Sequence, residues 1–451
     1  MAECFPYHEH QRLIDVRGHR ISATRNHLAA KVKISRAQSV HLPCNSGIKL
    51  EKTGQIPVSM IGPMSVPLVL FECDGDIISL RIVNHDPYAN NKVTDLSFLD
   101  NAIEIDLSLG NLKTDLYFSS QASIEEAVAA FKNGGEPGIG KYRKPDIERI
   151  FILDLWLPEG EIYHNYLDLT ELVKLLAKNR LAEKSLVYIP GWNAPYDTGY
   201  PFYKAAEALG GRERLADAVN RAASCGISVM PHLNFWGYDT ATNGIADYEA
   251  IQMKNKKGEP VGWNGDTNKL AYIDPGNSAW QEMMFENIAS ILKDYHFKAL
   301  YLDQGGCFDF NLPDSLIEGS VNYFRKLAGD FDDLDVIGIE MLTDKLSGLY
   351  NLCQLWGMPW CGLDFDYVQA PVSPVCKLFF GQDIAFMGHL GTPGSLPGKY
   401  VWTSNPFITS NGTGKAFQKA WDYHKQMGAI PSLRVDMRYM ERIDLHELFR
   451  K

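Results

Sequence analysis

From about residue 146 the sequence alternates short, almost wholly apolar runs with longer stretches in which apolar residues recur every three or four positions. The apolar runs are RIFILDLWL (149–157), SLVYIPGW (185–192), ISVMPHLNFW (227–236), KALYLDQGG (298–306), DVIGIE (335–340), NLCQLWGM (351–358), DIAFMGHL (383–390) and IPSLRVD (430–436). Strands apolar along their length are buried on both faces, as in parallel sheets covered by helices. The stretches between them read as helices at 169–181, 211–226, 278–295, 315–329 and 414–428, several with Ser, Thr or Asp near the N-cap position. Eight such β–α units in about 300 residues predict a closed parallel (β/α)8 barrel. A doubly wound open sheet would carry GxGxxG after an early strand, or GxxxxGK[ST], and neither is present. GGEPGIGK (134–141) contains a Pro and opens no helical pattern.

Up to about residue 135 the pattern is strand-like. VPLVLFEC (66–73), DIISLRIVNH (76–85) and AIEIDLSLG (102–110) are short apolar or alternating runs punctuated by Gly, Asn, Asp and Pro. The chain is therefore read as a smaller β-rich, sandwich-like domain at 1–145 followed by the barrel at 146–451. GGEPGIGKYRKP (134–145) serves as the linker.

Composition narrows the partners. A net charge of −11 weighs against nucleic-acid binding, which needs concentrated Lys and Arg, and suits a neutral polar small molecule. The eight cysteines (Cys4, Cys44, Cys73, Cys225, Cys307, Cys353, Cys361 and Cys376) form no CxxC pair, so neither a disulfide nor a metal framework is expected, and a reducing compartment is. The first 20 residues hold no 7–15-residue apolar stretch, and no run approaches the length of a membrane span. A soluble cytoplasmic protein with no membrane partner is the expectation.

In a (β/α)8 barrel the active site lies where strands end and βα loops begin, so the last residues of each run matter most. The second run ends in Pro190-Gly191-Trp192-Asn193, with Asp197 close behind. The third ends in His232, Asn234, Trp236 and Asp239, the fourth in Asp303-Gln304 and the fifth in Glu340. The sixth is followed by Trp360, Asp364 and Asp366, and the seventh ends in His389. Flat rings, amides and carboxylates crowding one rim suit a sugar: rings cover its C–H faces and polar groups meet its hydroxyls.

Asp303 follows an apolar strand and precedes Gln-Gly-Gly, which keeps it clear of any helix it might cap. Ionised, it is placed to attack an anomeric carbon. Glu340 closes the neighbouring strand. Strands lie about 4.8 Å apart, so adjacent tips can hold two carboxyls at the roughly 5–5.5 Å of retaining glycosidases, one attacking and one protonating the leaving oxygen. Asp364 and Asp366 are the rivals for proton donor. Trp192, Trp236, Trp263 and Trp360 are candidate sugar platforms, with plain packing the alternative for each. His232 and Asn234 alternate with apolar neighbours and so point inward. His232 reads as a core histidine or a substrate contact, and Asn234 as a hydroxyl contact. No HxH or HExxH cluster suggests a catalytic metal, and no cofactor is expected.

Tyr188-Ile-Pro-Gly-Trp-Asn with Tyr196-Asp197, VMPHLNFWGYD, LYLDQ and IGIEMLTD, at their spacings, resemble a bacterial group of glycoside-hydrolase-like barrels. That group is similar to the endo-α-N-acetylgalactosaminidases and α-N-acetylgalactosaminidases, and more distantly to the α-galactosidase and α-glucosidase barrels. The resemblance covers roughly 145–400. It implies a nucleophilic aspartate after the fourth strand, on Asp303, and a carbohydrate substrate. The galactosaminidase pattern implies an acid/base glutamate after the fifth strand, on Glu340. The α-galactosidase pattern implies an aspartate after the sixth, leaving Asp364 or Asp366.

Two other function classes compete. A catalytically idle, carbohydrate-binding barrel should lack one of the two carboxylates, and both are present. An aldolase would want a Schiff-base Lys inside the barrel, but the strands offer only Lys298, at the wrong end. A phosphosugar isomerase would want a phosphate loop after strands seven and eight, for which the run from Gly391 to Gly398 is the candidate.

Overall fold

Residues 2–44, 47–52, 64–133, 140–242, 244–264, 269–309, 311–355, 372–388, 422, 424–440 and 444–450 are described in a computed structural model of the chain. Two antiparallel sheets occupy the N-terminal part. The six-stranded one runs, edge to edge, Glu3–Phe5, Thr114–Gln121, Asp76–Asn84, Leu68–Cys73, Ala37–Leu42, Ile48–Glu51. The five-stranded one runs Gln11–Val16, His19–Asn26, Ala29–Ser35, Ala102–Ser108, Lys92–Leu99. Their inner faces share one core, in which Ile21, Val32 and Ile103 of the smaller sheet meet Val69, Phe71 and Phe118 of the larger.

The larger sheet is buried on its other face too. Along Leu68–Cys73, Val69 and Phe71 enter the inter-sheet core while Leu68 and Leu70 join the core of the rest of the chain. This is why 66–73 reads as a continuous apolar run rather than an alternating one. Helix α1 (Ile124–Asn133) lies on that second face, with Ala127 and Val128 buried. The sequence reading does not anticipate α1: its ten residues sit in a region read as strand-like. Beyond it Gly140 presses on Gly348 so closely that a Cβ would come within 1.9 Å of backbone, so 140–145 packs on the body of the chain.

Beyond this, the described residues form one parallel sheet of nine strands: β1 (Arg149–Ile152), β2 (Ser185–Ile189), β3 (Ile227–Asn234), β4 (Ala299–Asp303), β5 (Val336–Glu340), β6 (Leu352–Gln354), β7 (Ala385–Met387), β8 (Ala429–Ile430) and β9 (Ser432–Arg434). The order is β8-β7-β6-β5-β4-β3-β2-β1-β9. The two edges are consecutive in sequence: Ala429 and Ile430 pair with Phe386 and Met387, and Ser432–Arg434 pair with Ile150–Ile152. Only Pro431 separates them, so the sheet curls into a nearly closed barrel. All eight expected runs contain strand, but the last is divided. Pro431 has no N–H to give the ladder, and the pairing changes sides there. Helices α2 (Tyr166–Lys178), α3 (Gly211–Ser224), α4 (Ser278–Tyr295) and α5 (Asp314–Asp330) fall where the apolar periodicity places them, and α6 (Val375–Phe380) precedes β7. Of the helical stretch expected at 414–428, only 422 and 424–428 are described, and 422 and 424–427 are helical.

Strand alternation sorts the side chains. Ile150, Ile152, Leu186, Tyr188, Met230, Ala299, Tyr301, Val336, Leu352 and Met387 fill the interior, while Phe151, Val187, Leu302 and Ile339 face the helices. Gly338 stands at an inward position because a Cβ there would come within 3.0 Å of Tyr301 and 3.3 Å of Met230. Continuing each inward series toward the strand ends gives Asp154, His232 and then Asn234, Asp303, Glu340, Gln354 and Arg434. The interior is apolar below and polar at its C-terminal mouth.

Candidate active site

The polar layer is tied across strands. At the seam, Arg434 meets Asp154 in a buried two-pronged ion pair, Nε to Oδ2 at 2.7 Å and Nη2 to Oδ1 at 3.0 Å. On the opposite side β3 and β4 pair in register, His232 beside Tyr301 and Asn234 beside Asp303. One step past the Leu302–Ile339 pair, Asp303 and Glu340 are neighbours on β4 and β5.

The orientation of the Asn234 amide follows from its bonds. Its Oδ1 accepts from the backbone N–H of Trp236 (3.2 Å) and Gly237 (2.6 Å). That leaves Nδ2 to donate to Asp303 Oδ2 at 3.1 Å and to Gln304 Oε1 at 3.3 Å. Gln304 adopts a left-handed backbone (φ 61°), which turns its N–H toward both Asp303 and Glu340 and favours the ionised form of each. The turn then passes over the end of β5. Gly306 N–H donates to Glu340 O at 2.8 Å, and a Cβ on Gly306 would meet Met341 O at 2.1 Å. This close approach brings Cys307 onto the carboxyl, its thiol donating to Glu340 Oε2 at 3.2 Å.

Asp197 reaches the same place from the loop after β2. It too has a left-handed backbone (φ 61°), and its Oδ1 accepts from the Tyr200 hydroxyl at 3.4 Å. Asp239 tethers this loop: its Oδ2 accepts from Gly199 N–H at 2.7 Å and its Oδ1 from Ala241 N–H at 2.9 Å.

His232 lies below, in contact with the rings of Tyr196, Tyr200 and Tyr301. Its Nδ1 bonds the Tyr188 hydroxyl at 2.5 Å, and among the described residues its buried Nε2 has no hydrogen-bond partner. Among the described residues, Asp197, His232 and Asp303 bring metal-ligand atoms within 4.8 Å of one another.

Three carboxyls gathered at a largely buried mouth cannot all ionise freely. Burial, and then the charges of Glu340 and Asp197, push Asp303 far above the ordinary carboxylate range. Burial raises Glu340 to about 7 against the Cys307 thiol and the Gln304 N–H. Burial and the charge of Glu340 raise Asp197 to about 7. Burial lowers His232 to about 3, so the imidazole is neutral. Burial and Glu340's charge keep the Cys307 thiol protonated. The site holds protons at neutral pH and has carboxylates able to take and give them.

The sequence-derived candidates divide by placement. Asp303, Glu340, Asp197, His232 and Asn234 meet at the mouth. Asn193 is half-buried beside the Asp197 loop. Trp192 needs correction as a sugar platform: it is wholly buried in the wall, stacked on Tyr203, with its indole N–H on His232 O at 2.9 Å. Trp236 is buried as well. Its N–H donates to Gln304 Oε1 at 2.9 Å, and Gln304 Nε2 donates to the Tyr272 hydroxyl at 2.5 Å. Both hold the rim together rather than present a free face or amide. Asp239 is likewise consumed by backbone. Trp263 is 50% exposed, on a small three-stranded sheet with Gly237–Asp239 and Lys269–Tyr272. Trp360, Asp364, Asp366 and His389, with the glycine-rich run 391–398, lie outside the described residues. Residue-by-residue reading missed Tyr188, Tyr200, Tyr301, Cys307 and Gln354. Inward parity on the strands would have found Tyr188, Tyr301 and Gln354.

Among the described residues no helix is long and apolar enough to cross a membrane. A family model described as "Domain of unknown function (DUF6259)" matches residues 148–311, which spans β1 to β4. No curated protein matches the chain. Solved structures do. An α-N-acetylgalactosaminidase from Bifidobacterium bifidum, in complex with GalNAc, is similar at 10% identity, covering 95% of this chain and 84% of its own, with a TM-score of 0.67. An α-galactosidase from Thermus thermophilus, in complex with p-nitrophenyl α-D-galactopyranoside, is similar at 12% identity, covering 98% and 94%, with a TM-score of 0.64. At such identities what this chain shares with these glycoside hydrolases is the fold.

Proposed function

We propose that this chain is a retaining glycoside hydrolase acting on α-linked galactosides or N-acetylgalactosaminides. Asp303 is the nucleophile and Glu340 the acid/base. The scaffold is a (β/α)8 barrel whose eighth strand is β8 and β9 taken together, preceded by a β-rich domain ending near residue 145. The observation that carries this reading is the placement of Asp303 and Glu340 side by side at the mouth, with burial raising Glu340 to about 7 so that it holds a proton to give. Adjacent strands about 4.8 Å apart suit the roughly 5–5.5 Å carboxyl separation of retaining enzymes. The ligands of the similar structures, GalNAc and an aryl α-galactoside, support the substrate class.

In the first step Asp303 attacks the anomeric carbon, the glycosidic C–O bond breaks, and the proton on Glu340 passes to the leaving oxygen. In the second, Glu340 takes a proton from water as its oxygen attacks the same carbon and releases Asp303. Asp303 must be ionised to attack. Asn234 and the Gln304 N–H favour that form, and positive charge developing on the sugar favours it further.

The test is turnover of p-nitrophenyl α-galactoside and α-N-acetylgalactosaminide. Asp303→Asn is nearly isosteric and should keep the fold while losing several orders of magnitude in kcat. Activity close to wild type in that variant removes Asp303 from the mechanism.

A further inference from the structure

Among the described residues, the buried Nε2 of His232 has no hydrogen-bond partner, and hydrolysis by Asp303 and Glu340 gives it no part. A buried polar atom without a partner costs free energy, and structures keep few of them. His232 is 1% exposed and among the described residues its Nε2 has no hydrogen-bond partner, while its other nitrogen is fixed by Tyr188. With Nδ1 bonded to Tyr188, Nε2 is the nitrogen left for a ligand, and a ring nitrogen of His232 lies with carboxylate oxygens of Asp197 and Asp303 inside a 4.8 Å cluster.

One imidazole and two carboxylates suit a borderline first-row divalent cation. Three protein ligands leave positions open for water, as in non-structural zinc sites. Such an imidazole usually donates its second N–H to an oxygen that fixes the tautomer. Tyr188 fills that place, because a hydroxyl can donate to Nδ1 in the empty site and accept from it in the loaded one.

We propose that Asp197, His232 and Asp303 form a binding site for one divalent cation of the Zn2+ type, which inhibits the enzyme by engaging the carboxylate that must attack the sugar. Substrate and ion then exclude each other. The inhibitory effect rests on Asp303 being the nucleophile; the binding does not.

The test uses the full chain and Zn2+ alone, in two arms. Equilibrium binding is measured first on the wild type, Asp197→Asn, His232→Gln and Tyr188→Phe. Other histidines and cysteines also take up zinc, so the readout is the site that the variants lose. Asp197→Asn and His232→Gln should each weaken one binding event by tenfold or more, and Tyr188→Phe by about tenfold through the orienting bond. Asp197 stands on a half-buried loop, so that variant carries the test if His232→Gln fails to fold. Unchanged stoichiometry and affinity in both ligand variants overturns the proposal. In the second arm, Zn2+ should inhibit aryl α-galactoside hydrolysis competitively and reversibly on chelation. Full activity with this site saturated overturns the inhibitory role. Zinc bound at the triad of a chain that hydrolyses no α-galactoside upholds the site and contradicts the hydrolase reading, so the two failures are separable.

Discussion

Asn234 Nδ2 donates to Asp303 Oδ2 at 3.1 Å, across strands that pair these two residues directly. The amide cannot flip without losing the Trp236 and Gly237 N–H groups on its oxygen. Asn234 is therefore a fixed donor to the carboxylate. Asn234→Ala should lower kcat for an aryl α-galactoside by roughly 10–100-fold, the worth of a hydrogen bond to a charged group. Asn234→Asp should do more damage by adding a fourth carboxyl. Steady-state kinetics checks both. An unchanged kcat in Asn234→Ala means that Asp303 needs no such support.

Glu340 should matter in proportion to how badly the leaving group needs a proton. Glu340→Gln should cost a methyl or sugar leaving group roughly 10²–10⁴-fold and p-nitrophenolate far less. The wild-type kcat/KM should fall on the basic side as Glu340, raised to about 7, loses its proton. Equal losses across leaving groups would take the proton donor away from Glu340 and reopen Asp364 and Asp366.

The same residues set a stability trend. Glu340 and Asp197 are both raised to about 7, above their unfolded values, so the folded state binds more protons than the unfolded one between about pH 4 and 7. Their contribution is fully present below the unfolded values and is lost as pH rises through about 7. Glu340→Gln should therefore raise the melting temperature at pH 8, by roughly 1–3 kcal/mol of stability, and change it little at pH 5. Scanning calorimetry at the two pH values decides the point. A loss of stability at pH 8 contradicts it.

The barrel seam depends on Asp154 and Arg434, which join β1 to β9 in a buried ion pair. Asp154→Ala leaves a buried guanidinium without this carboxylate and should destabilise the protein by about 3–5 kcal/mol, readable as a shift in the urea midpoint. A shift below about 1 kcal/mol would mean that water reaches Arg434 at the seam.

Much of the fold, and the gathering of polar residues at the mouth, was legible in the sequence. Each of the eight apolar runs contains strand of the parallel sheet, because such strands face core on both sides. Reading strand ends puts Asp303, Glu340, Asn234, His232 and Asp197 at one mouth. What the sequence hides is competition for side chains. Trp192 looks like a rim platform but turns into the wall, because its N–H finds His232 O. Gln304 and Asp239 look like free polar groups but are spent on Trp236, Tyr272 and loop N–H groups. Cys307 gives no sign of its role, since only the Gly305-Gly306 crossing over β5 brings it to Glu340. The split at Pro431 depends on which neighbour each half pairs with, which periodicity does not carry.

A retaining reaction through Asp303 must pass through a covalent sugar–enzyme ester on its carboxyl. A fluorinated α-galactosyl donor with an excellent leaving group, which slows the second step more than the first, should accumulate that ester. Peptide mass spectrometry should then find one galactosyl-derived mass on the peptide containing Asp303, absent in Asp303→Asn. An adduct on another carboxylate, or hydrolysis releasing the β-anomer with no adduct at all, would contradict the account.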